Sequence, residues 1–191
     1  MLVDVFIFAF SMTITPGPAN IALLAASTQH GVRASLGFLL GVLFGFYLLG
    51  SALSLGLYLA IEQQPILLDV LRILGTAYLL WLVYKIATTK HMAEGNSVAP
   101  SFWYGLLIHP LNPKAWMMIS ACFGQFTTPE TASVSTFLSI IAVFGIGGAI
   151  SNTTWFLAGS KLKAWLNTPQ KVSLFNRVAA AALALVIIKL W

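Results

Sequence analysis

The chain has 191 residues, of which 59% are hydrophobic and 8% charged, with a formal net charge of +5. A soluble globular domain carries about 25% charged residues, so this composition excludes one, and it excludes intrinsic disorder, which needs low hydrophobicity. A pI near 9.6 at a mean hydropathy of +0.89 points away from a nucleic-acid binder, which needs a basic patch open to water, and toward a membrane protein with its lysines and arginines biased to one side.

At about 20 apolar residues per crossing, the length admits at most six spans and no extramembrane domain. Runs without Asp, Glu, Lys or Arg at 5–32, 34–61, 73–84, 95–113, 115–129 and 131–160 predict helical spans at 4–25, 35–60, 66–87, 102–124, 134–158 and 174–191. These runs are too long and too uniformly apolar for barrel strands, which alternate over about ten positions. The expected class is all-α and polytopic, a single domain over residues 1–191. The start Met1-Leu2-Val3-Asp4 lacks the basic region of a signal peptide, so span one is expected to be retained.

Span one contains the first anomaly, Thr15-Pro16-Gly17-Pro18-Ala19-Asn20, in which two prolines disturb the helical ladder. Span two carries Gly37, Gly41 and Gly45, two overlapping GxxxG steps that suit close approach of another helix, within one chain or across a homodimer. Span four contains the second anomaly, His109-Pro110-Leu111-Asn112-Pro113-Lys114. Span five is glycine-rich at Gly145, Gly147 and Gly148, and also holds Asn152 and Trp155, the latter expected as an interfacial anchor. Four prolines, Pro65, Pro100, Pro129 and Pro169, fall singly between spans.

Breaks in spans one and four, and glycines in spans two and five, match a three-plus-three arrangement with repeats of about 1–90 and 100–191. Spans three and six match more loosely, with Arg72 and Lys85 against Arg177 and Lys189. An odd number of spans per repeat inverts the second copy. Interrupted helices in corresponding positions of inverted halves are the best sequence pointer to a transporter's binding site. Seven basic residues (Arg33, Lys85, Lys90, Lys161, Lys163, Lys171 and Arg177) fall on one side, which the positive-inside rule makes cytoplasmic. Glu62, Asp69 and Glu130 fall opposite, so both termini are expected outside.

Backbone groups freed within a membrane must be buried in protein or line a watery cavity. Thr15, Pro16, Gly17, Pro18, Asn20, Asn112, Pro113, Lys114 and Asn152 are therefore the candidate substrate-binding residues. Lys114 lies about 18 Å and about 15 Å from the two ends of its span at 1.5 Å per residue, and an intramembrane charge marks a functional site by default. The bland alternative is that the break shortens the helix and leaves Lys114 near an interface. Asp4, His109 and Lys114 are the coupling candidates; Glu62, Asp69, Glu94 and Glu130 fall in connections or at span ends. His109 reads first as a satisfied core histidine and second as a proton carrier. Cys122, the single cysteine, reads as a small buried hydrophobe.

These residues resemble the LysE/RhtB family of bacterial amino-acid exporters. The likeness runs over nearly the whole chain: TPGPAN at 15–20, HGVRASLGFLLGVLFGF at 30–46, LGTAYLLWLVYKI at 74–86 and FWYGLLIHPLNPKAW at 102–116. It implies an inner-membrane exporter, driven by the electrochemical gradient, that expels amino acids or their derivatives. The family's first motif usually has a second asparagine where Ala19 stands, and an asparagine is common near His109 and Pro110. The stretch Gln29–Arg33 and the run NTTWFLAG at 152–159 look closest to members that export cysteine or O-acetylserine; threonine and homoserine are the other small neutral substrates in view.

Together, residues and resemblance lead to one expected mechanism. A zwitterion places its carboxylate near Lys114 and the amides of a broken helix, and its ammonium near carbonyls freed by Pro16 and Pro18, while two inverted halves rock about it. The expected partners are the amino acid and membrane lipid, with no nucleic acid, no cofactor and no metal. A membrane enzyme would need acid, base, nucleophile or metal groups in mutual reach, and the three histidines, His30, His91 and His109, are scattered. A thiol-redox carrier would need a second membrane cysteine, and a divalent-metal exporter a histidine and carboxylate cluster. A passive channel, or an exporter of another small solute, stays open.

Overall fold

In an apolar solvent a helix satisfies its own backbone, and every regular element of the computed structural model is helical among the residues it describes, 1–57, 65–88, 99–128, 130–166 and 168–188. In chain order these are α1 (Leu2–Ile14), α2 (Pro18–His30), α3 (Val32–Ala52), α4 (Pro65–Thr88), α5 (Phe102–Ile108), α6 (Pro113–Phe126), α7 (Val134–Trp165) and α8 (Pro169–Ile188). A π-helical turn, Leu53–Leu57, follows α3. Glu62, Lys90, His91, Glu94, Pro129, Lys189 and the expected end of span two lie outside the described residues.

Both double-proline segments break their helices. Span one becomes α1 and α2, bent by 60°, and span four becomes α5 and α6 separated by His109–Asn112. Each second half starts with proline, Pro18 or Pro113, where a missing N–H costs nothing and the fixed φ suits the first turn. Four boundaries differ from expectation. α2 runs on from 25 to His30, ended by Gly31 at φ 84, a left-handed value that glycine adopts freely. α7 continues from 158 to Trp165, past Lys161, because a lysine is a good helix former wherever its ammonium can reach water. Pro169 and Pro65, read as connections, are instead the first residues of α8 and α4.

The exterior is apolar. Leu36, Leu40, Phe44 and Leu48 form an exposed stripe at four-residue spacing on α3, and Ile146, Ile150 and Leu157 are exposed on α7. A large exposed apolar face is foreign to a soluble monomer and suits lipid. By length and apolarity Val32–Gly56 and Val134–Leu162 can each cross a membrane, and the bent pair α1–α2 makes a third candidate.

The interior is organised around α2, with eleven of its thirteen residues buried. Leu23, Ala22 and Ala26 pack with Phe38, Val42, Ile108 and Phe156, while Ile21 and Ala25 face Ile86 and Leu183. A separate cluster of Val5, Phe46, Leu49, Ile119, Ile140 and Phe144 joins α1, α3, α6 and α7. Cys122 is fully buried in it. The polar end of α2 is paired: Thr28 donates to the Gly159 carbonyl at 2.9 Å, and Gln29 Nε2 to Asn176 Oδ1 at 3.2 Å.

The GxxxG glycines act within the chain. A Cβ on Gly41 or Gly45 would collide with the backbone of Phe102 or Leu106, and one on Gly105 would meet the backbone of Phe38 and Val42. α3 and α5 thus touch main chain to main chain. Gly147 serves the corresponding contact of α7 with α1, where an added Cβ would lie 3.2 Å from Ala9 Cβ and Phe10 N.

Candidate binding site

A break leaves the last carbonyls of one helix and the first amides of the next without ladder partners, and the protein treats the two sets differently. At the end of α1 every carbonyl from Met12 to Pro16 receives a donor. Thr15 Oγ1 donates to Met12 O at 2.7 Å. Asn20 Nδ2 and Ser151 Oγ donate to Thr13 O at 2.7 and 2.8 Å. Trp155 Nε1 donates to Ile14 O at 3.0 Å, and Asn20 Nδ2 reaches Thr15 O at 3.0 Å. The carbonyls freed by Pro16 and Pro18, expected to hold a substrate ammonium, thus each already have a donor within the chain, from Thr15, α2, α7 or Lys114.

Trp155, expected as an interfacial anchor, donates into the break. Trp155→Phe keeps the bulk and removes only that bond, leaving a partly buried carbonyl unpaired. It is expected to cost about 1–3 kcal/mol, read as a lower unfolding temperature in detergent; an interfacial anchor would show little change.

The amide ends differ from each other. Asn112 caps α6, its Oδ1 accepting from Lys114 N at 3.1 Å. α2 has no side-chain cap, its N-cap residue being Gly17. Pro18 brings no N–H, so the first open amides are those of Ala19 and Asn20. Beside this bare positive helix end stands the Lys114 ammonium, close enough that a Cβ on Gly17 would lie 3.1 Å from Nζ. Lys114 Nζ donates to Thr15 Oγ1 at 2.9 Å and reaches the Thr15 and Pro16 carbonyls at 3.4 Å. The second break is thereby tied to the first. Among the described residues no carboxylate stands within ion-pair distance of Lys114.

The two breaks share a small, partly open cavity. Gly17, Pro18 and Asn20 line it from the first break, and His109, Asn112 and Lys114 from the second. Phe46, Met118 and Asn152 close the sides, with Thr13 and Gly148. Asn20, Asn112 and Asn152 are all at least nine-tenths buried. Of the expected site residues, Thr15, Pro16 and Pro113 flank the cavity without lining it. Asp4 is not brought in: it is exposed in the first turn of α1, with its carboxylate 2.8 Å from the Met1 amino group.

His109 departs from the reading of a satisfied core histidine. It is 6% exposed, its ring stands edge-on to Phe46 with centroids 5.6 Å apart, and neither ring nitrogen has a hydrogen-bond partner. Asn20 Oδ1 is unpartnered as well. A buried polar atom left unpaired costs about 1–3 kcal/mol, so such atoms need a reason. Sequence reading missed Thr13, Ser151 and the lining residues Phe46, Met118 and Gly148. The polar pair Ser151-Asn152 within an apolar span could have revealed Ser151, and Gly148 stands among the glycines of span five; nothing in the sequence distinguishes Phe46 and Met118 from ordinary core.

Comparison with known proteins adds to this geometry. The family described as LysE type translocator matches residues 10–190. A protein of Salmonella typhimurium (strain LT2) called cysteine/O-acetylserine efflux protein is 31% identical over 166 residues, 83% of this chain and 83% of that one. The protein of the same name from Escherichia coli (strain K12) is 32% identical over 148 residues, 76% of this chain and 75% of its own. No solved structure gives a significant match.

Proposed function

Because the chain belongs to the LysE type translocator family, and is thus a transporter rather than an enzyme, we propose that it exports small neutral amino acids or their derivatives, of the cysteine and O-acetylserine class, from the bacterial cytoplasm. The observation that carries this reading is the meeting of Lys114 with the uncapped start of α2 in one cavity. An ammonium and open helix-end amides together suit a carboxylate. The relatives' names supply the rest of the substrate.

In this reading residues 1–191 form one translocator domain of six spans in two inverted repeats, with both termini outside the inner membrane. The packing supports it. α3 of the first half packs on α5, the first part of broken span four, as α7 of the second half packs on α1, the first part of broken span one; α4 and α8 pack on each other. These pairs are counterparts under the repeat, whereas α2 packs closely on α7 and its counterpart α6 touches α3 only slightly. The halves rock about the shared cavity, alternately opening it to each side, and the proton gradient drives the cycle with His109 or Lys114 as the titrating group. Asp4, outside the cavity, has no part in it. The glycine seam is spent within the chain, so a homodimer would need another surface.

The test is efflux from cells that overproduce the protein and are loaded with cysteine, O-acetylserine, threonine, homoserine or lysine. Loss of a small neutral amino acid against its gradient, stopped by an uncoupler, is the expected result. Flow that continues downhill and is indifferent to the uncoupler would mean a passive channel, and no efflux of any of the five would remove the substrate class.

A further inference from the structure

The reading above leaves the substrate's amine without an assigned place, since the carbonyls of the first break already have donors within the chain. Resting on that reading, we propose that Asn20 Oδ1 and an imidazole nitrogen of His109 form an amine subsite. The cavity then recognises both charged ends of an amino acid.

Three observations converge. First, the unpartnered atoms belong to residues that line the same cavity. Buried polar side chains elsewhere, such as Thr28, Ser35 and Ser54, are hydrogen-bonded. Among the described residues the buried side-chain polar atoms left without a partner are Asn20 Oδ1 and the two nitrogens of His109, and both residues line the one cavity. Second, the free end of Asn20 is fixed as an acceptor. Its Nδ2 donates to the carbonyls of Thr13 and Thr15, and a flipped amide would set oxygen against oxygen, so Oδ1 is the atom left over. A neutral imidazole offers one further acceptor. Third, the chemistry is divided. Lys114 and the amides of Ala19 and Asn20 provide donors, whereas Asn20 Oδ1 and His109 provide acceptors, as a zwitterion requires. No carboxylate lines the cavity, so the substrate's own carboxylate offsets the charge of Lys114, and a simple amine would add a second positive charge beside it. The subsite therefore selects zwitterions over amines and over acids that lack an amine.

The experiment measures binding calorimetrically on the purified full chain in detergent. The probes are L-cysteine, 3-mercaptopropionate, which lacks the amine, and cysteamine, which lacks the carboxylate. His109→Phe keeps the ring contact with Phe46 and removes the acceptor. It is expected to weaken L-cysteine at least tenfold and leave 3-mercaptopropionate within twofold, and His109→Gln, which restores an acceptor, is expected to recover most of the loss. If the phenylalanine variant does not fold, His109→Met serves for the same comparison. Equal weakening of L-cysteine and 3-mercaptopropionate, or no weakening of either, would overturn the amine subsite while sparing the exporter reading. A wild-type chain that binds none of the three probes would overturn both.

Discussion

Replacing Lys114 with Met is expected to abolish export, at least a hundredfold, while leaving the protein inserted and folded. The methionine stem fills nearly the same space at the second residue of α6. What disappears is the ammonium, and with it the donor to Thr15 Oγ1 at 2.9 Å and to the carbonyls of Thr15 and Pro16. These partners lie on an exposed stretch of the first break, and Thr15 O keeps its bond from Asn20. The stability cost should therefore be about 1 kcal/mol, the net worth of an ordinary hydrogen bond. The functional cost is larger, because the substrate carboxylate would face only the helix-end amides of α2, with its principal counter-charge gone. Lys114→Arg keeps the charge but is expected to recover little, since a planar guanidinium does not replace an ammonium wedged against Gly17. Efflux and unfolding temperature, measured on the same preparations, separate the two costs. Normal export by Lys114→Met would remove Lys114 from the site.

Substituting Gly41 with Val is expected to have the opposite profile, a loss of fold. An added Cβ at this position runs into the carbonyl of Phe102 and approaches Leu106 N at 3.0 Å. Main chain lies on both sides of the seam and cannot rotate away as a side chain can. The helices must separate, and the buried contacts of Phe38, Val42 and Ile108 separate with them. Overpacking of this kind costs about 1–3 kcal/mol or more. The matched control is Gly124→Ala in α6, where an added Cβ meets nothing within 4 Å; removing an interior helical glycine there should be neutral or stabilising by up to about 1 kcal/mol. Thermal unfolding in detergent and protein yield measure both. If Gly41→Val unfolds like the control, α3 and α5 do not meet as described.

How much of this could be read from the sequence follows the kind of physics involved. Helical class, the breaks at Thr15–Asn20 and His109–Lys114, and their convergence were legible because proline acts locally and apolar runs set length. Helix ends were less legible. Charge was taken as the boundary, yet α7 carries Lys161 inside it, and proline began α4 and α8 instead of ending their predecessors. Hydrogen-bond partners were not legible at all. Trp155, Ser151 and Asn20 converge on the carbonyls of α1 from elements far apart in sequence, so carbonyls that looked free proved to have donors within the chain. For the same reason His109 looked like a contented core residue, when the cavity leaves both its nitrogens without partners. The glycines of α3 announced a close contact, but whether within or between chains depended on where α5 lay.

The most direct test of the whole account is transport by the purified protein in proteoliposomes preloaded with labelled O-acetylserine, with a pH gradient imposed across the membrane. The account predicts gradient-dependent release from vesicles holding the wild-type chain, release at the background of empty vesicles for Lys114→Met, and competition by L-cysteine. Release that is equal for wild type and Lys114→Met, or absent for wild type, would contradict it.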